Sequence, residues 1–216
     1  MAKKKQSTNY PEPKRLSYPE AEQNTPWLPM LLDAYIIADK AIHAAVEKEL
    51  KKGRRLACAR GCCSCCDTHV TIPIYPLELA GIYWFCMESL EGEAFTTIQH
   101  QMAHFTPGSG CPFLVLGACG IHPMRPLACR HFNVFDTPCA EGEDPFYSRR
   151  KDVLTPDEKG KEKALMAMLP YHGITERAEK REVIKKGLIH NMVKNMQEVE
   201  WVKLAQRMGA AKGASR

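Results

Sequence analysis

The sequence predicts a mainly α protein, a small helical domain around a cysteine-rich, loop-dominated centre with at most one short hairpin or edge strand. Three observations predict it. Apolar residues recur at three- and four-residue steps on both sides of the chain's middle, the period of helices that bury one face. Residues 106–150 are rich in Pro, Gly and Cys and carry little periodicity. Eight of the ten cysteines crowd into two short windows.

Composition frames the domain. A chain of 216 residues with 44% hydrophobic and 25% charged residues is ordinary globular material. At that length a core can be built without disulfides, and one domain is expected. No uncharged apolar run approaches the roughly 18 to 20 residues that cross a bilayer, so no membrane span is expected. The start, MAKKKQSTNYPEPKR, is basic with no apolar stretch behind it, unlike a secretory signal. A cytoplasmic location follows as the expectation, and with it reduced thiols. The net charge of +5 sits at the ends: residues 1–15 carry +4 and residues 203–216 carry +4, leaving the body between them at −3. A nucleic-acid-binding fold should carry its positive patch on structured elements, so contact with nucleic acid is not expected beyond weak touching by the tails. Residues 1–25 read as a disordered basic arm, 26–207 as a single helical domain and 208–216 as a disordered basic tail.

The elements follow in order. Thr25 as N-cap and Pro26 at the first position open a helix. Leu28, Leu31, Leu32, Tyr35, Ile36, Ile42, Val46 and Leu50 mark its apolar face, Lys51 and Lys52 suit its C-terminal dipole, and Gly53 ends it. Thr68–Tyr75 alternates Val70, Ile72 and Ile74, but Pro73 and Pro76 demote it to an edge strand or extended loop. Leu77–Leu90 and Glu93–Phe105 read as helices. The irregular 106–150 stretch is long for a compact domain and needs an organiser other than a hydrophobic core. TPDE at 155–158 is a capping box that opens a helix running to Pro170. Helical periodicity returns from Thr175 to about Arg207, with Gly187 as a break.

The cysteines supply the organiser. The first window is Cys58-x3-Cys62-Cys63-x-Cys65-Cys66; the second is Cys111-x7-Cys119-x9-Cys129, with Cys139 ten residues on. Cys86 sits apart in an aromatic helix (YWFCM) and reads as a small buried hydrophobe. Structural disulfides fit neither a reducing compartment nor the vicinal pairs, whose Cα atoms lie about 3.8 Å apart. A thioredoxin-like C-x-x-C belongs after a strand at a helix start, whereas this one follows a helix and a basic loop. Thiolate metal binding explains most: soft thiolates favour zinc, copper(I) or iron–sulfur centres, and converging windows would order the irregular stretch. Neighbouring side chains point apart, so Cys65 and Cys66 suit different metals or different irons of one cluster. The loop-dominated centre is therefore expected to be metal-binding. The spacing is neither a standard zinc ribbon nor the bacterial ferredoxin run, and the metal stays open.

The series CARGCCSCC, CPFL and CGIHPMRPLACR resembles the bacterial YkgJ-type cysteine-cluster proteins, described as zinc- or iron-chelating domains. The resemblance covers about residues 58–131. It places Cys58, Cys62, Cys65, Cys66, Cys111, Cys119 and Cys129 in the family pattern, together with Arg125, Pro126 and Arg130. Cys63 is extra to that pattern and Cys139 matches it loosely; Cys139 is counted with the metal candidates and Cys63 is not. What the resemblance implies is metal binding; with the thiolate donors, the expected cofactor is an iron–sulfur cluster, for instance 4Fe–4S, or Zn2+. A flagellin lysine methylase group shares a related cluster, but no glycine-rich loop here suits an adenosyl cofactor, since GSG at 108–110 is a lone turn signal.

Arg125 and Arg130 either offset thiolate charge or pair with carboxylates. His122 and His131 flank the second window as ligands, supporting donors or loop residues; His100 and His104 stand one turn apart without the glutamate of an H-E-x-x-H site. No convincing acid–base pair or nucleophile is legible, so the expectation is a non-catalytic metal-binding protein for electron transfer or metal handling, with an unidentified protein partner. The alternatives are an enzyme using the same centre for redox or group transfer and a structural zinc module.

Overall fold

The computed structural model describes residues 10–59 and 61–214. The mainly α expectation holds: helices carry the fold, and strands among the described residues amount to two antiparallel two-residue pairs where at most one hairpin or edge strand was expected.

The first long helix is the spine. A short helix, α1 (Pro19–Asn24), precedes α2 (Leu28–Lys51). Thr25 does not cap α2; Trp27 occupies that position, and Pro29 takes the first-turn place where a missing N–H is harmless. Leu28, Leu31, Leu32, Tyr35, Ala38, Ile42 and Val46 are all buried, at the spacing that puts them on one stripe.

Part of the expected arm, residues 1–9, lies outside the described residues. Residues 10–24 lie against α2: the Tyr10 N–H donates to Glu47, the Tyr10 carbonyl accepts from His43, and Arg15 bridges Glu22 and Asp33. Of the expected tail, residues 208–214 continue the last helix and residues 215–216 lie outside the described residues.

Beyond α3 (Ser64–Thr68), the expected strand at 68–75 shrinks to β1 (Pro73–Ile74), because Pro73 offers no donor to a longer ladder. Helices α4 (Pro76–Glu88) and α5 (Gly92–Ala103) lie where the periodicity puts them. The irregular stretch contains the hairpin β2 (Leu114–Val115) and β3 (Ala118–Cys119), then α6 (Leu127–His131) and α7 (Pro145–Ser148). Leu116 (φ 49°) and Gly117 (φ 74°) form the two-residue tip, whose paired left-handed angles match the strand twist.

The capping box at 155–158 does not form. The N-cap of α8 (Glu158–Met168) is Asp157, whose carboxylate accepts the Gly160 N–H at 2.7 Å, after Pro156 has kept Thr155 extended. The helix ends at Met168, just before Pro170 as expected, and a 3-10 turn over Leu169–His172 follows. The stretch from 175 to 207 is not one helix: α9 (Arg177–Lys185) ends before Gly187 in the left-handed region (φ 66°). The backbone then leaves helical form to pair β4 (Lys194–Asn195) with β1, Pro73 opposite Asn195, and resumes as α10 (Trp201–Ala214).

Two helix pairs form the core, α2 with α8 and α5 with α10. Gly160 lets the first pair close: a Cβ there would stand 2.3 Å from the Cβ of Ala41. Trp201 joins the second pair to the cysteine region, packing edge-on to Phe113 at 5.1 Å while its indole N–H donates to the Met196 carbonyl. No helix among the described residues is long and apolar enough to cross a membrane.

Candidate metal centre

Separate segments bring cysteines to one place, each fixed by its own contacts. Cys58 ends a strand-like run in which Leu56 bridges Phe135 and the Ala57 N–H donates to the Val134 carbonyl. The Val134 N–H donates to the Cys58 Sγ at 3.3 Å. Arg54 anchors this run from outside, reaching Asp136 at 2.8 Å and Asp152 at 3.1 Å. Cys65 and Cys66 ride on α3. The Cys111 N–H donates to the Cys66 carbonyl at 2.7 Å, an approach that leaves Gly110 little room, since a Cβ there would lie 3.3 Å from that oxygen.

Cys119 closes the hairpin opposite Leu114, and Cys129 sits in the middle of α6. Cys139 lies on the loop before α7, tied down by Glu143, which holds Arg149, Ser148 and the Ala140 N–H. The Arg149 and Ser148 hydrogen bonds, with the Ala140 amide, lower the Glu143 carboxyl to about 2.

All eight cysteines named as candidates, Cys58, Cys62, Cys65, Cys66, Cys111, Cys119, Cys129 and Cys139, line a single cavity of about 580 Å³. Every cysteine is a free thiol. The thiols of Cys65, Cys66 and Cys111 form a hydrogen-bonded chain, and Cys62, the one exposed cysteine among the ten, stands nearest solvent. Among the described residues no group of three or more His, Cys, Asp or Glu side chains is already drawn into the geometry of a single ion; the thiols surround a space.

The two remaining cysteines are elsewhere. Cys63 is absent from the cavity wall and faces Asp67 at 3.8 Å. Cys86 is fully buried in α4, and burial alone pushes its thiol up to about 12.

The electrostatics are those of crowded neutral thiols. The hydrogen bond to Cys66, then burial, holds Cys65 far above the usual thiol range. The hydrogen bond to Cys111 and burial push Cys66 up to about 12, and burial followed by the neighbouring Cys65 raises Cys129. Arg125 acts against this, favouring the thiolates of Cys58, Cys65, Cys119 and Cys129.

The two arginines flanking the second window take different roles. Arg130 is 5% exposed and is a brace: it pairs with Asp39 at 2.8 Å, donates to the Arg125 and Pro123 carbonyls, and lies 3.8 Å over the Tyr35 ring. Arg125 lines the cavity, and its buried Nε has no hydrogen-bond partner.

Of the histidines, His122 lines the cavity, whereas His131 turns its Nδ1 to the Leu127 carbonyl and lies outside it. His100 on α5 and His104 just past its end lie 4.2 Å apart, ring to ring, and neither lines the cavity. Two wall residues escaped sequence reasoning. His69 stands edge-on to Phe132 with its Nε2 3.3 Å from the Asp144 carboxylate, close enough for an ion pair but without hydrogen-bond alignment. Their separation in sequence hides the pair; the aromatic–His spacing alone signals nothing.

The donor set suits a soft metal: eight thiols line one cavity, beside the Arg125 cation whose charge favours their thiolates. Comparison with known proteins agrees with that chemistry. The family model CxxCxxCC, described as "Putative zinc- or iron-chelating domain", matches residues 57–168. No curated protein and no solved structure matches the chain. That match begins one residue before Cys58, spans more than half of the chain and takes in all eight wall cysteines; the chain belongs to the CxxCxxCC family.

Proposed function

We propose that the protein holds a metal centre of more than one metal atom, iron–sulfur in kind, and serves electron transfer or metal handling without catalysis of its own. One observation carries the reading: eight thiols from separate segments line one cavity. A single tetrahedral zinc uses four ligands, and a vicinal pair such as Cys65–Cys66 serves one ion poorly but two neighbouring metal atoms well. Cys65, Cys66, Cys111, Cys119 and Cys129 would form the inner grip, with Cys58, Cys62 and Cys139 as the outer one. Such a centre supplies one-electron redox chemistry when bound. The chain's own residues do the rest. Burial and thiol–thiol hydrogen bonds favour the protonated thiols, so loading releases protons. Arg125 offsets thiolate charge, and Arg130 with Glu78 fixes the turn that presents Cys129. Exposed Cys62 gives the route by which metal or electrons enter.

Anaerobic purification followed by iron, zinc and acid-labile sulfide analysis tests the reading. Iron with matching sulfide supports it; two zinc ions per chain without sulfide would replace iron–sulfur by a paired zinc site.

A further inference from the structure

A second cavity, of about 230 Å³, lies between the N-terminal segment, α2 and the loop that precedes α6. Its ionisable walls are cationic: Lys14, Arg125 and Arg130 stand with His43 and His122 against one carboxylate, Asp39. That carboxylate is already engaged by Arg130, whose other N–H groups go to the Arg125 and Pro123 carbonyls. Arg125 has no equivalent: among the described residues its side chain makes no ion pair, and its Nε is buried without an acceptor. A buried donor left unmet costs about 1–3 kcal/mol, and a second cation beside it adds repulsion. Burial, then Arg125 and Arg130, holds His122 below its usual range, with Asp39 pulling the other way.

We propose that this cavity is a binding site for a small dianionic oxyanion, inorganic phosphate or a phosphate monoester, taken between Arg125 and Lys14 at the junction of the N-terminal segment with α2. The space holds the five heavy atoms of a phosphate with room for a short ester substituent. Arginine meets such oxygens with a planar fork and lysine with a mobile point charge, so a fixed inner cation and an exposed outer one make a complementary pair. Tyr10, whose carbonyl accepts from His43, closes the N-terminal side. This site goes beyond metal holding: Arg125 stands in the wall of both cavities, and Lys14, which lines only this one, separates anion binding from metal holding.

The test is calorimetric titration of the full chain at low ionic strength with inorganic phosphate and, separately, with glycerol phosphate. The expected result is saturable one-site binding of at least one of the two, the tighter naming the natural source. Lys14→Ala, at an exposed position, should weaken it about threefold to tenfold. Arg125→Gln should abolish it while leaving the helical circular dichroism unchanged. Failure of both probes to saturate overturns the proposal, as does wild-type affinity in Lys14→Ala and Arg125→Gln together.

Discussion

The Glu78 Oε1 accepts the Leu127 backbone N–H at 2.6 Å inside the core, where Glu78 is 0% exposed. Its other oxygen accepts the Tyr75 N–H at 2.9 Å, so one carboxylate ties the start of α4 to the start of α6, the helix that carries Cys129. Burial raises this carboxyl from the usual 4.5 to about 7, against the pull of those two amides and of Arg130. A raised acid favours the fold in its protonated form. Its contribution is complete below about pH 4.5 and is lost as pH rises through about 7, a swing of about 3 kcal/mol. Glu78→Gln removes the titration. Denaturant melts of both proteins from about pH 5 to about pH 8 should show wild type losing stability relative to the variant as pH rises. Parallel profiles would show that Glu78 carries no such shift.

Arg130 gives the second prediction. Arg130→Lys keeps the charge but cannot serve Asp39 and two carbonyls at once, and it gives up the guanidinium's place over Tyr35. Because the site is buried, the loss should be about 2–4 kcal/mol in chemical denaturation, with a matching loss of metal retention. A variant within about 0.5 kcal/mol of wild type would mean that the brace contributes nothing.

The cysteines divide by position. Cys66→Ser and Cys129→Ser, on the cavity wall, should each lose at least half of the bound metal on elemental analysis; Cys63→Ser and Cys86→Ser should keep it all. Cys86→Ser puts a hydroxyl into the core and should lower stability by about 1–3 kcal/mol without touching metal content. Metal loss in Cys63→Ser equal to that in Cys129→Ser would undo the division.

Gly160→Ala probes the spine. The added Cβ would meet Ala41, a backbone-fixed methyl that cannot swing aside, so α8 must move off α2. Overpacking of this kind should cost about 1–3 kcal/mol, less the gain of a better helix former. Thermal melts check it, and an unchanged or raised midpoint would show that the helices can part freely.

What could be read beforehand follows from where each signal resides. The α2 stripe and the cysteine windows are local patterns, so helix face and ligand type are legible from residues alone. Spacing does not say which of Cys62, Cys63, Cys65 and Cys66 turn inward, because that depends on the short α3 and the Cys111–Cys66 backbone contact. Glu78 reads as an ordinary first-turn glutamate; only the approach of Leu127, distant in sequence, makes it a buried clamp. Arg130 left two roles open for the same reason, since Asp39 and Tyr35 sit on another helix. The 175–207 stretch misleads because pairing of Asn195 with Pro73 overrides a helical period.

The central claim is that the cavity walled by Cys58, Cys62, Cys65, Cys66, Cys111, Cys119, Cys129 and Cys139 holds a polynuclear metal–thiolate centre. Metal and acid-labile sulfide analysis of anaerobically purified protein, with its ultraviolet–visible spectrum, tests that most directly. Iron and sulfide are expected in equal amounts, more than one of each per chain, with broad thiolate-to-iron absorption that Cys129→Ser diminishes. Protein that takes up neither iron nor zinc, from purification or reconstitution, with all ten cysteines reduced, would contradict it.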